Sequence, residues 1–441
     1  MKILYVIHSP PWIEYSGAPL QLHQYLKHAK SNGYQAAVLS KDIKKDGNDY
    51  VPSEYSGVRV FGYPAVDDWG LNAFRSKLRK STIELHLNGF LPDIVHIIDW
   101  VGLHPAILKS LKNIGAPIIR HVLNFEDRCY FVTPVRRLPH LEKCAPPLAP
   151  NSCADCILNH YSGVKKDIKS LVRKSLKQLS PAYINYKHKI NQMSIERAQI
   201  AERDIEIYYD FLIFPSLSFA DYYKSHLKVI KPYKVCELGL PLPPIIPKRE
   251  VNSQGTIKIM YAGGGSDVKG FHIVENAFLR LINATKVRFE LRIYGVDKIQ
   301  ADKSLLKGYG NITFIDRFNI AEDCSPYTWA DIGVVPTHFE TFCRVAREYM
   351  IYGAVPVSTR AFGIAEVIKD EYNGLLINRP YNQSLFTAVL RLMEEKGLLQ
   401  RLRVGLSNSK VVSDVDEFNE IKTIYEQLRC NKRFKETRCE L

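Results

Sequence analysis

Apolar and polar residues follow two patterns along this chain of 441 residues. Short continuous apolar runs at residues 3–7 and 94–98 are typical of strands buried on both faces of a parallel sheet. Helices are predicted between such runs, at residues 19–32 with Gly33 beyond the helix end, and at Pro105–Asn113. This alternation of strands and helices predicts a parallel sheet that is covered on both sides.

A stretch rich in Gly and Pro at residues 238–244 interrupts the pattern and predicts a hinge between two halves. The alternation restarts with an apolar strand at residues 257–262. We therefore expect an N-terminal domain at residues 1–240 and a C-terminal domain at residues 241–420. Residues 421–441 are expected to form the end of a last helix and a mobile basic tail.

Residues 339–357 contain the clearest candidate chemistry. They follow a strand-like run at residues 332–336 and then change to the three- and four-residue spacing of a helix. Glu340 precedes this helix and Glu348 lies about two turns into it, so both carboxylates can face one ligand. Loop amides and a helix N-terminus attract phosphate, while carboxylates can bind sugar hydroxyls.

A glycine-rich turn at residues 263–270 is the second candidate element, directly after the strand that opens the second half. Its backbone N–H groups, together with the ammonium group of Lys269, would suit a diphosphate. An ordinary surface turn is the alternative interpretation.

The first of these segments resembles the E-x7-E signature of the family 4 glycosyltransferases, also called glycosyl transferases group 1. The residues that match the signature in order are Glu340, Phe342, Arg344, Glu348, Met350, Gly353, Pro356 and Val357. Cys343 stands where this family usually has Gly, and Tyr349 stands where it usually has Ala.

The glycine-rich turn resembles a Gly-Arg-x4-Lys-Gly motif of the same family. Two glycines and the lysine of that motif are present, as Gly263, Gly270 and Lys269. Gly264 occupies the position of the motif's Arg. Neutralisation of phosphate would then rest on Lys269 and on Arg344 or Arg347.

This resemblance implies an α/β protein with the GT-B fold, in which two Rossmann-like domains face each other across a cleft. It also implies a retaining glycosyltransferase that moves a sugar from a nucleotide diphosphate sugar to a glycan or lipid-linked acceptor, in cell-surface polysaccharide biosynthesis. Two other functions on the same fold remain open: a nucleotide-sugar epimerase-like enzyme, and a catalytically inactive subunit that binds nucleotide sugars.

The resemblance places the sugar donor on the second domain. Glu348 would hold ribose hydroxyls and Glu340 would orient the donor hexose, while Lys269 and the amides of residues 341–345 would stabilise the leaving diphosphate. Glu340 and Lys269 are therefore the catalytic candidates. The donor-binding candidates are Gly263, Gly264, Lys269, Gly295, Glu340, Thr341, Phe342, Cys343, Arg344, Val345 and Glu348.

Three residues of the first domain are candidates for the acceptor side. Gly17 lies in the first loop, where the family often has a Gly-Gly that lets a ligand approach the backbone, although a simple turn glycine is the alternative. Asp99 follows the strand at residues 94–98, where ligands bind in open α/β sheets, or it caps a helix. His121 is a candidate because the family's usual His position is occupied by Leu123.

Four of the nine cysteines fall in one insertion, at about residues 124–160. This cysteine group consists of Cys129, Cys144, Cys153 and Cys156. Four thiolates can enclose a structural zinc ion, and the last pair has the C-x2-C spacing of a zinc half-site. Unliganded thiols are the main alternative, and a disulfide or redox role is a further one.

The composition is that of an ordinary globular protein, with 46% hydrophobic and 24% charged residues. Its 60 basic and 46 acidic residues give a net charge of +14, which suits a phosphorylated substrate, an anionic membrane surface or nucleic acid. Nucleic acid is not expected, because no zinc-finger, RNA-recognition or helix-turn-helix pattern is found. A basic helix predicted at about residues 161–203 could lie on anionic lipid or present a solvated face.

No apolar run approaches the roughly 18 residues that cross a bilayer, and the first residues are typical of a strand, not of a signal peptide. We therefore expect a cytoplasmic protein that can be peripheral on the inner membrane face. The only Asp-x-Asp, at residues 414–416, is interpreted as a helix cap. No catalytic metal or other catalytic cofactor is expected.

Overall fold

The structure, a computed structural model, describes most of the chain in two compact units. The first unit comprises Met1–Phe214, Ala220–Cys236 and Phe418–Leu441, and the second comprises Pro215–Phe219 and Glu237–Glu417. The described residues are 1–8, 12, 17–41, 44–45, 48–49, 54–63, 87–99, 105–125, 129, 144, 153–161, 181–228, 230–243, 255–320 and 322–439.

The first unit contains an eight-stranded sheet with the order β10-β9-β8-β7-β1-β2-β6-β5. Its neighbouring strands run parallel except β5 and β6, and β3 pairs with β4 as a separate antiparallel pair. The strands are β1 (Lys2–Ile7), β2 (Gln35–Lys41), β3 (Lys44–Lys45), β4 (Asn48–Asp49), β5 (Glu54–Tyr55), β6 (Val58–Tyr63), β7 (Ile94–Ile97), β8 (Ile118–His121), β9 (Phe211–Phe214) and β10 (Tyr233–Val235).

The second unit contains a six-stranded sheet with the order β13-β12-β11-β14-β15-β16, in which every pairing is parallel. Because β11 lies between β12 and β14, the connections reverse direction at this point, and the loops after β11 and β14 meet at the carboxyl edge. The strands are β11 (Ile257–Tyr261), β12 (Phe289–Tyr294), β13 (Ile312–Ile315), β14 (Ile332–Val335), β15 (Val355–Thr359) and β16 (Leu375–Ile377).

Helices follow most strands, as expected for parallel sheets whose strands need long crossover connections. A short 3-10 helix also spans Asp267–Lys269. The α-helices are α1 (Gly17–Ser31), α2 (Pro105–Asn113), α3 (Cys153–Tyr161), α4 (Pro181–Tyr208), α5 (Leu217–Lys224), α6 (Phe271–Ala284), α7 (Lys298–Lys303), α8 (Ser325–Trp329), α9 (Arg344–Ile351), α10 (Phe362–Val367), α11 (Tyr381–Glu394), α12 (Leu398–Ser407) and α13 (Asp414–Cys439).

Each unit has its own hydrophobic core. In the first unit, the residues of β1 from Ile3 to Ile7 are fully buried, in agreement with the continuous apolar run in the sequence. In the second unit, strands β11, β14 and β15 pack against α6, α9 and α11 around residues such as Ile259, Val334 and Val357. The two parallel sheets and their helices confirm the predicted α/β class.

The predicted domain boundaries differ from the units in three places. The second unit begins at Glu237 instead of residue 241, and it also includes Pro215–Phe219. From Phe418 onwards the chain belongs to the first unit again, because the apolar face of α13 is buried in the core of that unit through Phe418, Ile421 and Tyr425. This helix extends to Cys439, whereas the sequence predicted a mobile basic tail within residues 421–441.

Some sequence predictions concern residues outside the described ranges. These are most of the first loop, at residues 9–11 and 13–16, the basic segment at residues 162–180, and most of the cysteine-rich insertion. None of the helices within the described ranges has the length and apolar character needed to span a bilayer.

Candidate active site

The glycine-rich turn after β11 is shaped by close backbone packing. Gly270 has φ +82°, and a Cβ at this position would lie 2.1 Å from the carbonyl oxygen of Pro336. Glycine therefore allows the turn to approach the end of β14. The hydroxyl of Tyr261 donates a hydrogen bond to the Gly264 carbonyl at 2.7 Å. The predicted turn thus lies against the loop that follows β14, at the point where the strand order reverses.

The loop between β14 and α9, at residues 336–343, is held from two sides. The Thr337 hydroxyl lies 3.0 Å from the carbonyl oxygens of Val268 and Phe339, which ties the loop to the glycine-rich turn. The Ser216 hydroxyl donates to the Thr341 carbonyl at 2.7 Å. These contacts fix the backbone on both sides of Glu340.

Lys269 and Glu340, the two catalytic candidates, form an ion pair in which the ammonium group donates to Glu340 Oε1. Burial disfavours the ammonium form of Lys269, but the neighbouring carboxylate of Glu340 more than offsets this and raises the pKa of Lys269. The side chains remain 42% and 17% exposed, respectively. Both side chains can therefore be reached from solvent.

A cavity of about 70 Å³ lies between the turn and the loop. Five of the predicted donor-site residues line it: Gly263, Lys269, Glu340, Cys343 and Val345. Ordinary ligand pockets measure roughly 300–1,000 Å³, so this cavity can hold only part of a nucleotide diphosphate sugar. The structure brings the two sequence motifs together at one site.

Glu348 lies deeper in the second unit than Glu340. Its side chain is 7% exposed, the Tyr327 hydroxyl donates to Oε2, and the Arg344 guanidinium is 3.9 Å from Oε1. Burial raises the pKa of Glu348, although Arg344 and the Tyr327 hydrogen bond act in the opposite direction. The carboxylate is held in a fixed orientation by these two partners, as a group that binds hydroxyls must be.

Glu348 lies little more than one turn into its helix, whereas the sequence predicted about two turns. α9 starts at Arg344, and the preceding Cys343 has φ +65°, a left-handed conformation that favours glycine. This explains why the family usually has Gly where this chain has Cys343. The thiol is buried, and burial raises its pKa to about 12, so it stays protonated at neutral pH.

Arg347 is occupied by protein contacts. Its guanidinium donates to Glu237 Oε1 at 2.7 Å, to the Gly363 carbonyl at 3.2 Å and to the Phe342 carbonyl, and it stacks 3.6 Å from the centre of the Phe342 ring. Its side chain is 1% exposed. Arg347 therefore stabilises the 336–343 loop through the Phe342 carbonyl and does not line the cavity. This position disagrees with its suggested role in phosphate neutralisation.

The acceptor-side candidates all lie in the first unit. Gly17 is the first residue of α1, with φ +50° and open space around its Cβ direction, which agrees with a turn glycine. Asp99 follows β7 and accepts from the His8 backbone N–H at 3.0 Å, and its Oδ1 also lies 2.8 Å from His8 Nδ1. Within the part of the chain that the structure describes, Asp99 thus contacts His8, the residue directly after β1.

His121 is a core residue of the first unit. It is fully buried, its ring stacks on His96 at 5.8 Å, and its Nδ1 lies 3.4 Å from the Tyr25 hydroxyl. Burial lowers its pKa to about 3, so the imidazole is neutral. In this position it has no surface that an acceptor could contact.

The cysteine group is only partly described. Its four members form no disulfides, and Cys153 and Cys156 lie in the first turn of α3. Within the described ranges, no three His, Cys, Asp or Glu side chains are arranged to hold a metal ion. The zinc site stays a prediction.

The Asp-x-Asp at residues 414–416 lies in the first turn of α13. Asp416 donates its backbone N–H to the Ser413 hydroxyl at 3.0 Å, and that hydroxyl lies 2.8 Å from Asp416 Oδ2. Ser413 is thus the capping residue, and acidic residues follow it where a helix N-terminus favours negative charge. This geometry agrees with the interpretation as a helix cap.

The second unit therefore presents backbone N–H groups, a lysine and two carboxylates at one edge of a parallel sheet. The amides and the lysine suit phosphate oxygens, and the carboxylates suit sugar hydroxyls. This arrangement fits a Rossmann-like unit that binds a nucleotide diphosphate sugar.

Residues 256–395 match the model of the glycosyl transferases group 1 family. This segment contains both sequence motifs and every predicted donor-site residue. The resemblance inferred from the sequence is confirmed. No curated protein matches the chain significantly.

Solved structures similar to this one are glycosyltransferases with the GT-B fold. Sucrose-phosphate synthase from Thermosynechococcus elongatus matches with a TM-score of 0.64 and 12% identity, covering 98% of this chain and 99% of its own. HepE from Anabaena, in complex with UDP and glucose, matches with a TM-score of 0.60 and 14% identity, covering 97% and 100%. Identities this low establish the fold alone, which confirms the predicted GT-B architecture of two Rossmann-like units.

A third match is an E. coli structure described as trehalose-6-phosphate bound with UDP-2-fluoro glucose. Its TM-score is 0.57 at 11% identity, with 97% of this chain and 99% of that chain covered. All three matches extend over nearly the whole chain, so both units are similar to these structures.

Proposed function

We propose that this protein is a retaining glycosyltransferase that transfers a sugar from a nucleotide diphosphate sugar to a glycan or lipid-linked acceptor. The observation that carries the proposal is the Lys269–Glu340 ion pair beside the glycine-rich turn, at the cavity lined by the predicted donor residues. The group 1 family match over residues 256–395 supports the reaction class.

The donor would be held by groups at two depths. Glu348, oriented by Tyr327 and Arg344, would accept hydrogen bonds from ribose hydroxyls. Glu340 is more exposed and would orient the hexose. HepE has been solved with UDP and glucose, which supports a nucleotide-linked sugar as the donor class.

The main catalytic demand is stabilisation of the negative charge that develops on the leaving diphosphate. The hydrogen bonds of Thr337 and Ser216 hold the loop that leads to the N–H groups of residues 341–345, and Glu340 holds the Lys269 ammonium, so these donors would need little rearrangement when the sugar donor binds. Loss of one such preorganised donor typically costs about 3–4 kcal/mol of transition-state stabilisation. No protein nucleophile is needed for this role, and Glu340 is paired with Lys269.

A panel of UDP, GDP, ADP and CDP, with their common sugar conjugates, tests the donor by thermal shift. A donor at 100 times its Kd stabilises the folded state by about 2.7 kcal/mol. One nucleotide diphosphate should raise the Tm, and its sugar conjugate should then be turned over with an oligosaccharide or polyprenyl-phosphate-linked acceptor. NMR of the new linkage should show a retained anomeric configuration.

The outcomes separate the proposal from its alternatives. Nucleotide binding with donor hydrolysis and transfer at background would indicate an inactive binding subunit, for which the missing Arg at Gly264 is the specific observation. Exchange or epimerisation of the donor sugar without an acceptor would indicate an epimerase-like enzyme. A panel in which no nucleotide diphosphate stabilises the protein would refute the proposal.

For the place of action we propose the cytoplasmic face of a membrane, where lipid-linked acceptors of cell-surface polysaccharides are made. The net charge of +14 supports attraction to anionic lipid. The protein should sediment with phosphatidylglycerol vesicles and remain in solution with phosphatidylcholine vesicles. Equal behaviour with both lipids would contradict the membrane proposal without affecting the reaction class.

A further inference from the structure

Arg317 is an arginine of the second unit that neither sequence motif includes. It lies two residues beyond the end of β13, while Gly295 follows β12 and Gly264 follows β11. The three strands are neighbours in one parallel sheet. Their carboxyl ends therefore bring all three residues to the edge that carries the glycine-rich turn.

The Arg317 side chain lies across Gly295. A Cβ at Gly295 would be 3.0 Å from Arg317 Cγ and 3.5 Å from its Nε, so the absence of a side chain there makes room for the arginine. The guanidinium continues towards the glycine-rich turn. A Cβ at Gly264 would lie 3.9 Å from Arg317 Nη2 and 3.3 Å from the Gly295 carbonyl.

Gly264 itself has φ +69°, so this position favours glycine over an arginine side chain. The guanidinium of Arg317, which follows β13, borders the space beside Gly264. Arg317 thus brings a positive charge next to the position at which the sequence motif lacks its Arg.

The charges around this edge make the Arg317 guanidinium distinctive. Lys269 already has Glu340 as its ion-pair partner, and Arg344 lies beside the carboxylate of Glu348. Arg317 is exposed, and among the residues that the structure describes no hydrogen bond or ion pair engages it. Arg317 therefore adds to Lys269 a positive charge that no carboxylate shares, and its guanidinium offers a planar fork that matches two phosphate oxygens.

We propose that Arg317 is a donor-binding residue that contacts a phosphate group of the nucleotide diphosphate. The inference rests on the proposed function, because it assumes that a diphosphate binds at this edge. The neighbouring N–H groups of the glycine-rich turn would complete the phosphate site, since such turns form anion-binding concavities.

Arg317→Ala, Arg317→Lys and the control Arg288→Ala test this inference. Arg288 is another exposed arginine of the second unit, located before β12 at the opposite, amino edge of the sheet, so its removal changes the net charge equally. Binding of inorganic pyrophosphate, of the tightest nucleoside diphosphate and of the matching phosphate-free nucleoside is measured by calorimetry. Because pyrophosphate carries no nucleobase, its binding tests the phosphate contact whichever base the donor has.

Arg317→Ala should weaken pyrophosphate and nucleoside diphosphate binding by about 10-fold or more, as expected for loss of a hydrogen-bonded charge, and leave nucleoside binding unchanged. Arg317→Lys should lose less, and Arg288→Ala should bind like the wild type. Unchanged diphosphate binding by Arg317→Ala, or an equal loss for the nucleoside, would overturn the inference. A wild-type protein that binds neither pyrophosphate nor any nucleoside diphosphate would refute the proposed function itself.

Discussion

Replacement of Glu348 by Gln separates donor binding from folding more cleanly than any other change at this site. The substitution keeps the shape of the side chain and removes its charge. Hydrogen bonds to charged groups are worth about 1.5–3 kcal/mol and neutral ones about 0.5–1.5 kcal/mol. For two ribose hydroxyls, Glu348→Gln should therefore cost about 2–3 kcal/mol of donor binding, or about 30- to 150-fold in Kd.

The folded state should tolerate this change. Burial raises the pKa of Glu348, which means that the fold as a whole disfavours its ionised form. The neutral amide removes that penalty and loses the charge-assisted bond from Tyr327. The Arg344 guanidinium, 3.9 Å from Oε1, loses its charged partner while the side-chain volume is kept, so we expect a Tm that is unchanged or slightly lower than that of the wild type.

The assay is calorimetric titration of the tightest nucleotide diphosphate sugar, with Tm measured on the same samples. Glu290→Gln, on the exposed face of β12, is the matched control and should bind like the wild type. If Glu348→Gln folded normally and bound the donor within about twofold of the wild type, Glu348 would not contact the ribose. The assignment of the donor to this crevice would then be wrong.

Three further predictions concern other parts of the molecule. The buried ring of His338 stacks on His272 at 5.5 Å, and burial lowers the pKa of His338 from 6.5 to about 4. Its neutral imidazole therefore makes its full contribution to the free energy of unfolding above pH 6.5, and this contribution is lost as the pH falls towards 4. At pH 5 the loss should be about 2 kcal/mol. In urea unfolding, the free energy of unfolding of His338→Gln should therefore fall less between pH 7 and pH 5 than that of the wild type. An equal fall in both proteins would contradict this prediction. A Cβ at Gly333 would lie 2.3 Å from the fully buried Tyr349 ring, so Gly333→Ala should destabilise the protein by about 1–3 kcal/mol, whereas Gly310→Ala, with open space, should unfold at nearly the wild-type urea concentration. If the cysteine group binds zinc, plasma emission analysis of the purified protein should find about one zinc per chain, and a metal-free protein would leave unliganded thiols.

The fold was predictable because its signals are local. Continuous apolar runs such as residues 3–7 identify buried parallel strands wherever they occur, and helical spacing between them identifies crossover helices. The sequence thus defined the α/β class, the strand sites and the two halves. It placed the boundary four residues late, because Glu237 and the following residues pack with the second unit through contacts that no local pattern records.

The sequence could also assign α13 to a helix but not to a unit. Its apolar stripe shows only that one face is buried, whereas Tyr425 finds its partner more than 300 residues earlier, with the hydroxyl 2.6 Å from His96 Nδ1. The same limit applies to His121, whose burial in this core follows from the stacking of distant rings.

At the candidate site, the sequence alone determined which segments matter: the glycine-rich turn with Lys269, and the pair Glu340 and Glu348. Residue type and spacing sufficed, because glycine, lysine and carboxylate have restricted chemical uses next to a strand end. Only the tertiary structure decided which charges are occupied. In the structure, Lys269 pairs with Glu340 and Arg347 is buried against Glu237. Arg317, which follows β13 and belongs to neither motif, lies across Gly295 and beside the glycine-rich turn. Charge pairing depends on distances through space, and these are set by the order of strands in the sheet, which a linear pattern does not contain.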